Sequence, residues 1–457
     1  MISIKELKFQ KEIGKGIYRG ALIKDSLSKK AKINYCSRCL YPSNHPLGII
    51  FDSKGVCSGC RIHEEKDILN WDSRFEKLRG ILKNYKSASR GQYDCVIPVS
   101  GARDSYFIVH VIKNVFGLRP LLVTYNKQYN TEKGIRNLSY LRTVFDCDLL
   151  TLTVNPETVK KITKVSLQKM GSMYWHCLAG QSVFPVQIAV RFKIPLIVWG
   201  AHQGIDQVGM FSHTDQVEMT RKYRKEHDLM GFEAEDMGSS MMHLSSSDLA
   251  QFAYPHDKEI EKVGVRGIYL NNFIRWDSKA QHEKMIELYD YESGEQSRTF
   301  DTYNDVDCFH YSDVHDYIKF LKYGYGKAMD HACREIRLSR MSRSEGIAHV
   351  MKYASLEPKS LQLFLDWIGI SKKGFYFFIN QFRDPLVWTR DSNGEWILRK
   401  CIFDFEGDSS SLVEDARLPL VEDKCEFKLT GSRTVISDKP KYTVLGRGFV
   451  NPEDRTK

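Results

Sequence analysis

Four cysteines near the start of the chain have the spacing of metal ligands: Cys36-x2-Cys39 and Cys57-x2-Cys60, separated by seventeen residues. This falls inside the C-x2-C-x15–20-C-x2-C pattern of structural zinc sites. Each pair offers two thiolates from one turn, and four close a tetrahedral shell around Zn2+ with no open position for chemistry. The intervening LYPSNHPLGIIFDSKGV suits two short strands with a turn at SKG. So small a segment has too few apolar residues to bury four reduced thiols in a core of its own. A redox pair and an iron–sulfur cluster are the other chemistries open to such a set. With four cysteines present, His45 and His63 are superfluous as ligands.

The second constellation is the hexapeptide SGARDS at residues 100–105, lying between an apolar run and a helical one. A glycine-containing turn at a helix start presents unpaired backbone N–H groups and the positive end of the helix dipole, a cradle for an anion. Ser100 and Ser105 add hydroxyls, Arg103 a positive fork, and Asp104 can hold Mg2+ or cap the helix. A capped strand–helix connection is the plainer reading. The Walker A pattern is absent.

Other residues have competing readings. Trp175-His176-Cys177 invites a nucleophile, but no glutaminase elbow surrounds Cys177, residue 2 is Ile, and burial is the default for a scattered cysteine. Asp330 and Arg334, one helical turn apart, read as an ion pair. Lys319, Lys322, Lys327 and Arg334, near Tyr323 and Tyr325, could instead face a diphosphate. Residues 201–258 are loop-rich, with His202, His213, His243, His256 and Met241-Met242, and read as a lid or partner surface. RKYRKEHD (221–228) reads as a solvated helix face.

These residues must be positioned by a scaffold, and its pattern is α/β. Apolar runs at 93–99, 118–125, 147–154 and 194–200 alternate with helical stretches, which indicates a parallel sheet with helices on both faces. Runs that are apolar throughout fit strands buried on both sides. The expected organisation is a basic extension (1–34, nine Lys or Arg against three acidic residues), the knuckle (35–62) and a helical linker (63–92). An α/β domain (93–277), a helical region (278–382, with a helix at 360–382) and a hairpin with a tail (383–457) follow. Across 457 residues, 67 Lys and Arg against 57 Asp and Glu leave +10, which permits an anionic ligand but is small for a nucleic-acid binder. No run approaches the roughly 20 apolar residues of a membrane span. The charged opening MISIKELKFQKEIGKG has no apolar core behind it, so neither a signal peptide nor a disulfide framework is expected, and the location is cytoplasmic.

The loop resembles the pyrophosphate-binding SGGxDS loop of the N-type ATP pyrophosphatases, the PP-loop superfamily. Ala102 stands where that family usually has a second glycine, and a positive φ there would strain it by about 1–2 kcal/mol. Over roughly residues 35–400 the chain resembles the N-acetyl sugar amidotransferases of surface-polysaccharide (O-antigen) synthesis, the WbpG-like enzymes. The resemblance rests on CSRCLYP…GVCSGC, VSGARDS, LRPLLVTYN and IPLIVWG, then FIRWDSKAQHEK, HDYIKFLKYGYGKAMDHACREIR, SRMSRSEGIAHV and NGEWILR. It implies an adenine nucleotide alpha-hydrolase-like fold with ATP, Mg2+ and structural Zn2+. It implies conversion of an acetamido to an acetamidino group on a nucleotide-linked sugar, by adenylation of the amide oxygen and attack by ammonia. Arg103 and Asp104 would serve catalysis. Residues 100–105, with Thr124, Tyr125, Trp199 and Gly200 at the strand ends, would hold the nucleotide, although core packing explains Tyr125 and Trp199 equally well. Ala201 stands where some members have an acidic residue. A separate glutaminase and a cyclase-like ammonia channel, resembling imidazole-glycerol-phosphate synthase, would supply ammonia. A tRNA-thiolating enzyme and a degenerate ATP-binding scaffold are the alternatives.

Overall fold

The computed structural model describes residues 33–88, 93–399 and 401–402; expectations for 1–32, 403–457 and the Arg103 side chain fall outside it. Five parallel strands form the central sheet: β1 (Cys95–Pro98), β2 (Pro120–Tyr125), β3 (Leu149–Leu152), β4 (Leu196–Trp199) and β5 (Arg266–Tyr269), in the order β3-β2-β1-β4-β5. Val96 pairs with Ile197 and Val123 with Leu150, and β5 runs beside β4 from Leu196↔Arg266 to Trp199↔Tyr269.

Strands β1, β2 and β4 are buried on both faces and their residues divide by parity, whereas β3, at the sheet edge, is not buried, contrary to the reading of its run. Cys95, Ile97, Leu122, Leu196 and Val198 join one core with Leu78 and Leu82 of helix α2 (Trp71–Ala88) and Tyr106 and Val109 of α3 (Arg103–Val109). Leu141 of α4 (Glu132–Val144) belongs to the same core. Val96, Leu121, Val123 and Ile197 join the opposite core with Phe184, Val186 and Ala189 of α6 (Trp175–Phe192), which follows α5 (Pro156–Met170). Side chains alternate across a strand, so a β-branched run bounded by helices becomes the centre of three layers. After β3 the chain returns to the other side of β1 to form β4. This reversal opens a crevice at the carboxyl ends of β1 and β4, where sheets of this kind receive ligands.

The knuckle leads into α1 (Ser58–Glu64) and packs on the C-terminal helices rather than on the sheet. These are α8 (Asp316–Tyr323), α9 (Lys327–Arg337), α10 (Arg343–Tyr353), α11 (Leu361–Ile368) and α12 (Lys372–Asn380), entered from the sheet through α7 (Ser278–Tyr289). Strands β6 (Trp388–Arg390) and β7 (Trp396–Leu398) form an antiparallel hairpin after them. Cys36, Cys39, Leu40 and Tyr41 share one core with Ile318, Met329, Ala332, Cys333 and Ile347. Among the described residues, no helix is long and apolar enough to cross a membrane.

Several expectations change. The sheet has a fifth strand, β5. The helix expected over 360–382 is two helices, parted after Gly369 takes a left-handed φ of +66°. The helical linker expected over 63–92 is interrupted: α1 ends at Glu64 and α2 begins at Trp71, with Ile68 between them 54% exposed. The opening of 201–258 is core rather than lid: Ile205, Val208, Met210, Phe211, Val217 and Tyr223 pack with Ile62. RKYRKEHD is not simply solvated, since Tyr223 and Arg224 are buried and the Arg224 guanidinium lies 4.2 Å from the Tyr254 ring centre.

Candidate functional site

Cys36, Cys39, Cys57 and Cys60 are buried, with their sulfurs all within 4.8 Å of one another. The Cys36–Cys60 and Cys39–Cys57 separations are 4.0 and 3.6 Å. Zinc–sulfur bonds of about 2.3 Å give a tetrahedron with edges of roughly 3.8 Å, so the four thiols fit Zn2+. The backbone N–H groups of Arg38, Cys39 and Cys57 donate to the Cys36 sulfur at 3.4, 3.4 and 3.2 Å. From α9, Arg337 donates to the sulfurs of Cys57 (3.6 Å) and Cys39 (3.9 Å). It also donates to the Gln207 carbonyl at 2.7 Å and lies 5.1 Å from the Tyr41 ring centre. Gly59 makes room for it, since a Cβ there would sit 2.2 Å from the guanidinium. An arginine held against four thiols balances the negative charge they carry around a metal.

The loop at 100–105 follows β1 directly. Gly101 has φ +80°, and a Cβ on it would meet the Gly134 carbonyl oxygen at 2.9 Å and Leu138 Cβ at 3.0 Å. Ala102, by contrast, is extended at φ −85°, ψ 172°, and caps α3. The strain expected at Ala102 is therefore absent. The Ser100 N–H donates to Ser105 Oγ at 3.0 Å, and the Ala102 N–H to Ser100 Oγ at 3.3 Å. Both serine oxygens thus brace the loop, and their O–H groups remain as donors.

Three cavities meet at Ser100. The largest, about 480 Å³, runs from Ser100, Ala102 and Asp104 to the knuckle at His45 and to the C-terminal helices at Lys319, Lys327 and Arg334. A second of about 210 Å³ lies at the strand ends, lined by Asp104, Ser105, Tyr125, Trp199, Gly200 and Ala201. A third of about 190 Å³ is lined by Thr124, Tyr125, Lys127 and Asp307, among others. The nucleotide-site residues expected at the strand ends are therefore gathered around the loop but divided between two cavities. The Trp199 indole N–H is buried without a partner, whereas the Tyr125 hydroxyl lies 3.0 Å from His176 Nδ1.

In the large cavity several charges are arranged in pairs, while Lys327 donates to the Gln296 side chain and Arg337 to the cysteine sulfurs. Lys66 holds Asp206 at 2.5 Å; burial opposes the Asp206 charge, but Lys66 outweighs it and brings the carboxyl down to about 2. Asp330 and Arg334 do not pair with each other. Asp330 takes Lys319 and the Tyr41 hydroxyl (3.0 Å), while Arg334 takes Asp301 and Glu335 at 2.7 and 2.8 Å. Burial raises the Asp301 carboxyl, yet His331 and Arg334 hold it well below the carboxylate range. Lys319, Lys327 and Arg334 line the cavity, but Lys322 does not: it is buried against the Met170 carbonyl at 2.9 Å, and burial lowers it to about 8. Tyr325 is buried, with Lys319 Nζ 4.5 Å from its ring centre.

Cys177 is fully buried beside His176, 3.5 Å from its Nε2. Burial pushes the thiol up and the imidazole down to about 3, leaving both neutral. Sequence reasoning missed Lys66, Asp206, His315 and Arg337, all on the cavity wall. Their isolated charges or rings carry no motif, and only the docking of the knuckle on α8 and α9 brings them together.

Residues 297–401 match the family model "LPS biosynthesis protein WbpG-like, C-terminal domain", which covers α8–α12 and the hairpin. The match supports a role in lipopolysaccharide biosynthesis. A 121-residue stretch is 29% identical to the uncharacterized protein MJ1599 of Methanocaldococcus jannaschii, covering 26% of this chain and 42% of that protein. The chain thus spans less than half the length of this curated relative.

Proposed function

This chain carries the C-terminal domain of the WbpG-like lipopolysaccharide-biosynthesis proteins, and we propose that it is a PP-loop amidotransferase, converting an acetamido group of a nucleotide-linked sugar to an acetamidino group. The observation that carries this reading is the shared cavity. The loop after β1 forms one wall and helices of the WbpG-like domain another, so an activated phosphate and a bound substrate would meet there.

On this reading residues 100–105 would hold the triphosphate of ATP, Asp104 supplying a carboxylate for Mg2+ and Arg103 a positive charge that offsets the phosphates. The nucleobase sits at the strand ends, where the Trp199 N–H is a donor in need of an acceptor. An amide carbon is a poor electrophile. Its oxygen attacks the α-phosphorus and pyrophosphate leaves, giving a cationic O-adenylyl imidate. Ammonia adds to the imidate carbon, the C–O bond breaks, AMP leaves, and the product is the protonated amidine. The nitrogen comes from a partner glutaminase through a cyclase-like channel, because the sequence lacks both glutaminase signatures and Cys177 is buried and neutral. The site is cytoplasmic, where nucleotide-linked sugars and ATP meet.

The test is Asp104→Ala. With ATP·Mg2+, ammonium and a nucleotide-linked N-acetyl sugar, the variant should form AMP about 10²–10³-fold more slowly than the parent. Unchanged AMP formation would remove the loop from the reaction.

A further inference from the structure

We propose that His45, carried on the zinc knuckle, is a substrate-binding residue whose Nε2–H donates to an uncharged oxygen, a hydroxyl or acetamido carbonyl, of the sugar in the large cavity. This rests on the amidotransferase reading and adds a subsite to it.

His45 is 5% exposed and lines the cavity. Its Nδ1 accepts the Leu47 N–H at 3.2 Å, so the proton of a neutral ring must lie on Nε2. That nitrogen is buried and has no hydrogen-bond partner. Burial first, and then the neighbouring Lys319 and Arg337 charges, hold the imidazole well below its ordinary range, so the ring is neutral. Its direction is fixed by Tyr41, edge-on at 4.9 Å, and Tyr325 at 5.7 Å. Unlike His202 and His310, whose buried ring nitrogens also lack partners but which do not line this cavity, His45 stands on its wall, where a ligand can satisfy a donor that is costly to leave unmatched.

The chemistry of the wall selects the ligand. The cations Lys66, Lys319 and Arg334 are already matched by Asp206, Asp330 and Asp301, Lys327 is engaged by the Gln296 side chain, and Arg337 is turned to the cysteine sulfurs. Of the polar atoms without partners there, three are uncharged, His45 Nε2, Trp276 Nε1 and His315 Nδ1, the last on a ring that burial holds at about 4; the fourth, Arg337 Nε, belongs to the guanidinium turned to the cysteine sulfurs. Uncharged donors and acceptors beside aromatic rings suit the oxygens of a sugar better than a phosphate. The ribose of ATP has similar hydroxyls, so the test must separate the two sources.

Two variants of the full zinc-loaded chain do so. His45→Phe keeps the ring and removes the donor, and His45→Gln retains an N–H. Calorimetric titration would use ATP·Mg2+ and, separately, UDP-N-acetylglucosamine, UDP-N-acetylgalactosamine and their uronic acids, with zinc content measured alongside. His45→Phe should weaken the nucleotide sugar about tenfold and leave ATP and zinc unchanged, and His45→Gln should recover part of the loss. Equal weakening of ATP, unchanged sugar affinity, or zinc loss in both variants would overturn the subsite alone. A parent chain that binds ATP but none of these nucleotide sugars would overturn the amidotransferase reading with it.

Discussion

Gly101 and Ala102 have different parts in the loop that follows β1. The left-handed turn falls entirely on Gly101, where a Cβ would also press on the Gly134 carbonyl, while Ala102 has a backbone that any residue adopts. Gly101→Ala should therefore displace the loop and abolish ATP binding, because the strain of about 1–2 kcal/mol comes on top of a steric clash. Ala102→Gly should leave AMP formation unchanged and lower stability by about 0.4–1 kcal/mol, through the freer unfolded chain. Parallel calorimetry and denaturant titration check both; a gain in activity from Ala102→Gly would show that the loop had lost function through that residue. The scaffold alternative loses one of its motives here, since Ala102 fits its place. That a turn joins β1 to α3 was legible because SGARDS follows an apolar run, but which position bends is a property of its neighbours in α4. The Asp330–Arg334 pair failed for a similar reason. Spacing along a helix permits a pair, and Lys319, Tyr41 and Asp301 compete better because the fold brings them closer.

Among the elements, the joint between the knuckle and α9 carries the most consequence. Arg337 touches the sulfurs of Cys39 and Cys57, runs over Tyr41 and lines the cavity, so the four-cysteine cluster and the cavity wall share one side chain. Arg337→Met should keep the helix but leave the thiolate charge unbalanced, at a cost of about 3–5 kcal/mol for breaking a buried charge contact from one side. Zinc should then be lost to a chelator markedly faster than from the parent, with a lower melting temperature; equal rates of zinc release would mean the arginine is incidental to the knuckle. Four strands were legible because their apolar runs are long. The fifth was missed because Arg266–Tyr269 is four residues at the sheet edge, begins with an arginine held by Glu218, and buries Ile268 fully. The interior role of 201–223 was hidden for a different reason: its apolar residues are spaced to fit around α1, with no regular period.

For the molecule as a whole, buried neutral histidines set the response to acid. Burial holds His176, His202 and His310 at about 3, against about 6.5 in an unfolded chain. Between those values the unfolded state binds protons that the native state refuses. Their stabilising contribution is thus complete above about pH 6.5 and falls as pH drops toward 3, by about 1.4 kcal/mol per unit for each histidine. The urea midpoint should be clearly lower at pH 5.5 than at pH 7.5; a midpoint constant over that range would contradict the packing of these rings. The same whole-molecule arrangement underlies the proposed chemistry, since the cavity exists only where sheet, knuckle and C-terminal helices meet. The central claim is that the amide oxygen of the substrate is adenylated, and isotope transfer tests it most directly. A nucleotide-linked N-acetyl sugar labelled with ¹⁸O in the acetamido carbonyl would be turned over with ATP·Mg2+ and ammonium, and the AMP examined by mass spectrometry. The account predicts one ¹⁸O in each AMP formed during turnover; AMP free of label alongside amidine product would contradict it.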